Sequence, residues 1–166
     1  MTISTIEYAL MAGSSYLDTR NEVNQLPFPE YFGWARLGGG LDHRGGTSDS
    51  AGRDGFEGAA YKRGNEIVIS YAGTYGDISD LGPDWRTNIA LAGGNIADQL
   101  YQAAKYYLAI RRSNPSAEIT LTGHSLGGGL AALVGVFFNI SAKTFDPAPF
   151  RPSATDLSPE LVPLPQ

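Results

Sequence analysis

The sequence contains no cysteine, which excludes a thiol nucleophile, a disulfide framework and a zinc-thiolate site. Basic residues are also few. The 12 lysines and arginines against 17 aspartates and glutamates give a net charge of −5, so nothing indicates binding to nucleic acid or to an anionic membrane. No run reaches the roughly 18 apolar residues of a membrane span, and the N-terminus lacks the basic and apolar regions of a secretory signal. We expect a soluble protein whose compartment stays open, because a signal outside this chain could export it.

The length of 166 residues and the hydrophobic content of 42% are those of one globular domain. We expect residues 1–150 to form the core, with a helix over residues 4–17 and a long glycine-rich loop at 33–58, and residues 151–166 to form a proline-rich tail or linker. Aromatic side chains near the start of the loop, including Trp34, could cover a binding groove or pack against the core. The sequence leaves both roles open.

Strand and helix patterns alternate along the rest of the chain. Residues 58–71 have the pattern of a β-hairpin, residues 95–112 that of an amphipathic helix, and residues 118–122 and 142–145 those of short strands. This order predicts an α/β fold with a mixed, mainly parallel sheet and helices on both faces. The last strand would lie at an open edge, so the fold is expected to be incomplete at its C-terminal end.

The strongest candidate site is the stretch from Thr120 to Ala131, which reads TLTGHSLGGGLA. It contains the G-x-S-x-G pattern of a nucleophile elbow, where a serine lies on a strained turn between a strand and a helix. Gly123 and Gly127 fit this geometry, because a Cβ at either position would collide with the neighbouring strand or helix. No lysine follows the glycines, which argues against a phosphate-binding loop. The pattern predicts Ser125 as the nucleophile, and a functionless glycine-rich turn is the alternative.

Three stretches together resemble the class 3 lipases of the α/β-hydrolase fold and their bacterial relatives. They are SYAGTYGD at residues 70–77, DWRTN at 84–88 and TGHSLGGGLAAL at 122–133, and TFDPAP at 144–149 is similar less closely. The resemblance implies a lipase or phospholipase that cleaves carboxylic esters of triacylglycerol or phospholipid through a Ser125 acyl-enzyme. It also implies that the backbone N–H groups of Thr74 and Leu126 form an oxyanion hole, and that His124 is structural. This chemistry needs no cofactor, and no metal-ligand cluster is evident.

The resemblance leaves the base and the acid unassigned. In this fold the triad follows the order Ser, acid, His, and no histidine follows Ser125 in the sequence. His43 is a possible base if it folds over Ser125, and Asp146 is a tentative acid for which a turn or cap is the favoured role. The leading hypothesis places acid and base on a complementing C-terminal segment or partner chain, so that this chain alone could be inactive. The alternative is a non-catalytic hydrolase-like module that binds lipid or protein.

Overall fold

The computed structural model describes residues 2–15, 30–37, 56–73 and 96–148. These ranges contain, in chain order, α1 (Thr5–Ser14), a 3-10 turn (Glu30–Phe32), β1 (Ala35–Arg36), β2 (Gly58–Arg63), β3 (Glu66–Tyr71), α2 (Ile96–Ser113), β4 (Glu118–His124), α3 (Leu126–Phe138) and β5 (Ala142–Phe145). The predictions for Thr74, His43 and the tail at 151–166 lie outside the described residues.

The strands form one mixed sheet with the order β1-β2-β3-β4-β5. The pairs β1–β2 and β2–β3 are antiparallel, whereas β3, β4 and β5 run parallel to one another. A two-residue turn joins β2 to β3, and its Gly64 has a φ of 57°, which a residue without a Cβ adopts at little cost. The predicted mixed sheet is confirmed, and β5 lies at its edge within the described part of the chain.

Helices cover both faces of this sheet, as predicted. Side chains alternate across a strand, so β3 directs Ile67 and Ile69 to one face and Val68 to the other. The first two pack in a large core cluster with α2 and α3. Val68 packs with Tyr8 and Met11 of α1. The three parallel strands are therefore enclosed between helices, as in other α/β folds.

α1 begins with the predicted capping box. The backbone N–H of Glu7 donates to Ser4 Oγ at 3.3 Å, and the N–H of Ser4 donates to Glu7 Oε2 at 2.7 Å. Glu7 also accepts hydrogen bonds from Trp34 Nε1, at 2.9 Å, and from the guanidinium of Arg63. Burial, the largest single effect, raises the pKa of Glu7. The hydrogen bonds together outweigh it and lower the pKa from 4.5 to about 2.

One sequence-based expectation is corrected by the structure. The region expected to be an irregular loop at 33–58 contains β1, which pairs with β2. Of the two roles left open for the aromatic side chains near its start, Trp34 shows packing, because it is buried against α1. A strand of two residues is too short to show the alternation that predicts strands. α3 is apolar along its whole length, yet Val136 is 78% exposed.

Candidate active site

Ser125 connects β4 to α3 in a strained backbone conformation. Its φ of 55° and ψ of −124° lie in a region that residues with a Cβ rarely occupy. The residue is half-buried, and its hydroxyl makes no hydrogen bond to the start of the helix. The strained turn that the sequence predicts is therefore present, with a hydroxyl that is not used as a helix cap. Its catalytic role stays a prediction.

The two flanking glycines allow close backbone contacts. A Cβ added to Gly123 would lie 2.4 Å from the carbonyl oxygen of Gly127, and one added to Gly127 would lie 2.0 Å from the carbonyl oxygen of Tyr71. No side-chain rotation could relieve these overlaps, because the obstructing atoms belong to the backbone. Gly123 thus permits contact with the first turn of α3, and Gly127 permits contact with the end of β3. This confirms the reason for which the sequence requires glycine at both positions.

Backbone hydrogen bonds fix Ser125 on both sides. Its N–H donates to the carbonyl oxygen of Phe145 at 3.1 Å, and its carbonyl oxygen accepts from the N–H groups of Gly129, at 3.1 Å, and Ala148, at 2.9 Å. Two of these three bonds involve the end of β5 and the segment that follows it. Sequence reasoning missed this role, and the only available signal was the turn-forming Asp-Pro pair at the end of that strand.

The predicted oxyanion donor Leu126 directly follows Ser125. It is the first residue of α3, where the backbone N–H groups have no acceptor within the helix and lie at the positive end of the helix dipole. Its side chain is buried in the core, which holds the first turn in place. The other predicted donor, Thr74, lies outside the described residues. The end of β3 that leads to it contacts α3 at Gly127.

Of the candidates for acid and base, the structure describes the position of Asp146 but not that of His43. Asp146 directly follows β5, and the parallel register, with His124 opposite Phe145, sets it beside Ser125. Its side chain is exposed and its φ is 41°. His124 is half-buried at the end of β4. His43 lies outside the described residues, so the described ranges place no second histidine near Ser125.

The helices in the described ranges are all too short or too polar to cross a membrane. In the same ranges, no group of three or more His, Asp or Glu side chains is arranged to hold a metal ion.

Comparison with known proteins gives matches over most of the chain. Residues 7–160 match the model of a phospholipase-like family described as the Tle-like phospholipase domain. The extracellular phospholipase A1 of Serratia liquefaciens is 30% identical over 146 residues, which are 86% of this chain and 42% of that protein. Among solved structures, the Lip2 lipase of Yarrowia lipolytica is 16% identical with a TM-score of 0.47, covering 85% of this chain and 54% of that one. The lipase of Rhizopus microsporus var. chinensis is 16% identical with a TM-score of 0.45, covering 84% and 55%. The chain thus spans about half the length of these proteins.

Proposed function

We propose that this chain, which belongs to the phospholipase-like family of Tle-like phospholipase domains, carries the serine nucleophile of an enzyme that hydrolyses phospholipid esters. The observation that carries the proposal is the strained Ser125, which directly precedes the first residue of α3 and whose hydroxyl is not used for capping. The family description and the name of the Serratia relative favour phospholipid over triacylglycerol.

In the proposed reaction, Ser125 Oγ attacks the ester carbonyl carbon while a base accepts the hydroxyl proton. The carbonyl oxygen becomes an oxyanion that accepts hydrogen bonds from the backbone N–H groups of Leu126 and Thr74. Removing one donor of this kind typically costs about 3 kcal/mol of transition-state stabilisation. The intermediate then collapses, the lysophospholipid leaves with the proton from the base, and the fatty acyl group stays on Ser125. Water, deprotonated by the same base, then attacks the acyl carbon. The bond to Ser125 Oγ breaks, Oγ takes the proton back from the base, and the fatty acid is released.

The source of the acid and base is a separate part of the proposal. A serine without a base is a weak nucleophile. His124 is unsuited to this role, because the side chains of adjacent residues on the elbow diverge. We propose that a complementing C-terminal segment or partner chain supplies both groups, in keeping with the Ser, acid, His order of the fold. The competing assignment uses His43 as base and Asp146 as acid within this chain.

Labelling and turnover measured on one set of variants test these assignments. The chain is treated with a fluorophosphonate probe, and hydrolysis of a short-chain p-nitrophenyl ester is followed, for wild type, Ser125→Ala, His43→Ala and the matched control Ser113→Ala. Ser113 is an exposed serine at the end of α2. We expect the probe to react at Ser125 when the complementing segment is supplied, and to fail only in Ser125→Ala.

The other outcomes distinguish the alternatives. Turnover by the chain alone that Ser125→Ala abolishes and His43→Ala does not would contradict the complementing segment. Turnover that His43→Ala abolishes would assign the base to His43. Binding to phosphatidylcholine vesicles without any labelling of Ser125, even with the complement present, would favour a non-catalytic module.

The name of the Serratia relative, an extracellular phospholipase A1, further favours the sn-1 ester as the bond cleaved and an exported protein. Phosphatidylcholine with different acyl chains at sn-1 and sn-2 tests the first point, because mass spectrometry then identifies the fatty acid released. Release of only the sn-2 chain would contradict it. Detection of the protein in the culture medium of its host would support export, and its retention inside intact cells would contradict it.

A further inference from the structure

The chain leaves β5 through a turn, residues 145–148, that binds both backbone polar groups of Ser125. The carbonyl oxygen of Phe145 accepts from the N–H of Ser125, and the N–H of Ala148 donates to its carbonyl oxygen. Between these two contacts lie Asp146 and Pro147. The turn therefore holds the strained residue from its N-terminal and its C-terminal side at once.

Asp146 has the backbone conformation that makes this double contact possible. Its φ of 41° is in the left-handed region, where a Cβ is unfavourable and glycine, asparagine and aspartate are the residues that occur most readily. This reversal of the chain turns the carbonyl of Phe145 and the N–H of Ala148 towards the same residue. The positive φ thus lies between the two residues whose backbone groups bond to Ser125.

The next residue fastens the turn to α3. A Cβ added to Gly128 would lie 3.2 Å from Cα of Pro147, so the proline backbone packs directly on the first turn of the helix. Proline also fixes its own φ, which limits the conformations open to the turn. The exit from β5 therefore contacts the elbow at Ser125 and at Gly128.

We infer that Asp146 is a positioning residue. Its left-handed backbone conformation, and not its carboxylate, holds the nucleophile Ser125 in its strained conformation. The inference rests on the proposed role of Ser125 as nucleophile. A strained conformation persists only where the surrounding structure enforces it, and two of the three backbone hydrogen bonds of Ser125 come from this turn. The side chain of Asp146 is exposed, in keeping with a role for the backbone.

Amide hydrogen exchange measured by NMR on the full chain tests the inference without requiring activity. The variants are Asp146→Gly and Asp146→Asn, which remove the charge and tolerate a positive φ, and Asp146→Ala, which removes the charge and does not. The control is Asn139→Ala, because Asn139 has a φ of 53° at the other end of α3. In Asp146→Ala we expect the amides of Ser125 and Ala148 to exchange about tenfold faster, relative to the core strands. In the other three proteins they should stay within about twofold of wild type.

Each result decides the matter. Loss of protection at these two amides in Asp146→Gly or Asp146→Asn would show that the carboxylate holds the turn, and full protection in Asp146→Ala would show that φ is unimportant; either overturns the inference. If Asp146→Ala does not fold, the Gly and Asn variants still decide.

A second measurement, the rate of Ser125 labelling by the fluorophosphonate probe with the complement present, separates positioning from acid catalysis. We expect Asp146→Gly to label at least about fivefold faster than Asp146→Ala. Equal slow labelling of all three Asp146 variants would assign the carboxylate a direct role. Failure of wild type to label would contradict the proposed function, while the exchange data would still report on the turn.

Discussion

Replacing Ser125 by glycine is expected to stabilise the fold while removing the nucleophile. A residue with a Cβ held at φ 55° and ψ −124° stores about 1–3 kcal/mol of backbone strain, which glycine does not. Glycine in turn loses about 0.5–1 kcal/mol more conformational entropy on folding. The net gain is about 1 kcal/mol. Ser125→Ala keeps the Cβ and loses a hydroxyl that caps nothing, so its free energy of unfolding should stay within about 0.5 kcal/mol of wild type.

Urea denaturation at pH 7 measures this difference, and thermal unfolding provides a second reading. For a domain of this size, about 1 kcal/mol corresponds to about 2–4 °C in Tm. The matched pair is Asn139→Gly and Asn139→Ala, at an ordinary left-handed position with φ 53° and ψ 47°. If Ser125→Gly proves no more stable than Ser125→Ala, Ser125 is not strained in solution, and the argument for an elbow held under strain is wrong.

Two further substitutions test the surroundings of the site. Gly127→Ala should lower the free energy of unfolding by about 3 kcal/mol or more, because the new Cβ would lie 2.0 Å from the backbone of β3. The control is Gly64→Ala, where φ is 57° and no atom lies within 4 Å of the new Cβ. Urea denaturation should show a loss of only about 1 kcal/mol for this control. Comparable losses would mean that the close contact is relieved easily. The pKa of Glu7 in the folded protein is about 2, below its ordinary value of 4.5. The contribution of this carboxylate to the free energy of unfolding is therefore complete above pH 4.5 and declines as the pH falls towards 2. Between pH 7 and pH 3 the wild type should lose about 2 kcal/mol of its free energy of unfolding through this carboxylate. Because Glu7→Gln lacks the titrating group, its free energy of unfolding should fall by about 2 kcal/mol less than that of wild type over the same range. Equal pH dependence in both proteins would contradict the lowered pKa.

The elbow could be predicted because its requirement for space is expressed in residue types. Only glycine fits at positions 123 and 127, because the first turn of α3 and the end of β3 lie too close for a Cβ. The two glycines of the motif therefore indicate these close contacts directly. The hairpin and α1 were also predictable, because turn residues and a capping box are signals that lie within a few neighbouring residues of the sequence. The exposure of Val136 was not, because apolar composition does not report what covers each side of a helix.

The elements that escaped prediction depend on partners distant in the chain. β1 is a strand only because β2, more than twenty residues later, pairs with it. Ser125 is held by backbone groups of residues 145–148, and a backbone hydrogen bond requires no particular side chain at either end. Only the Asp-Pro pair left a trace. The predicted roles of Thr74 and His43 stay predictions.

Three contacts maintain the strained conformation of Ser125, and none of them involves its side chain. Gly127 closes on the end of β3, Gly123 closes on the first turn of α3, and the turn after β5 binds Ser125 from both sides. All three contacts lie at the carboxyl ends of the parallel strands, the edge at which ligands bind in open α/β sheets. It follows that the conformation should survive loss of the Ser125 hydroxyl and fail on loss of any one of these contacts. Loss of activity in Gly127→Ala or Asp146→Ala is therefore expected to come from a displaced nucleophile rather than from a missing chemical group, and labelling rate and stability measured together distinguish these two causes.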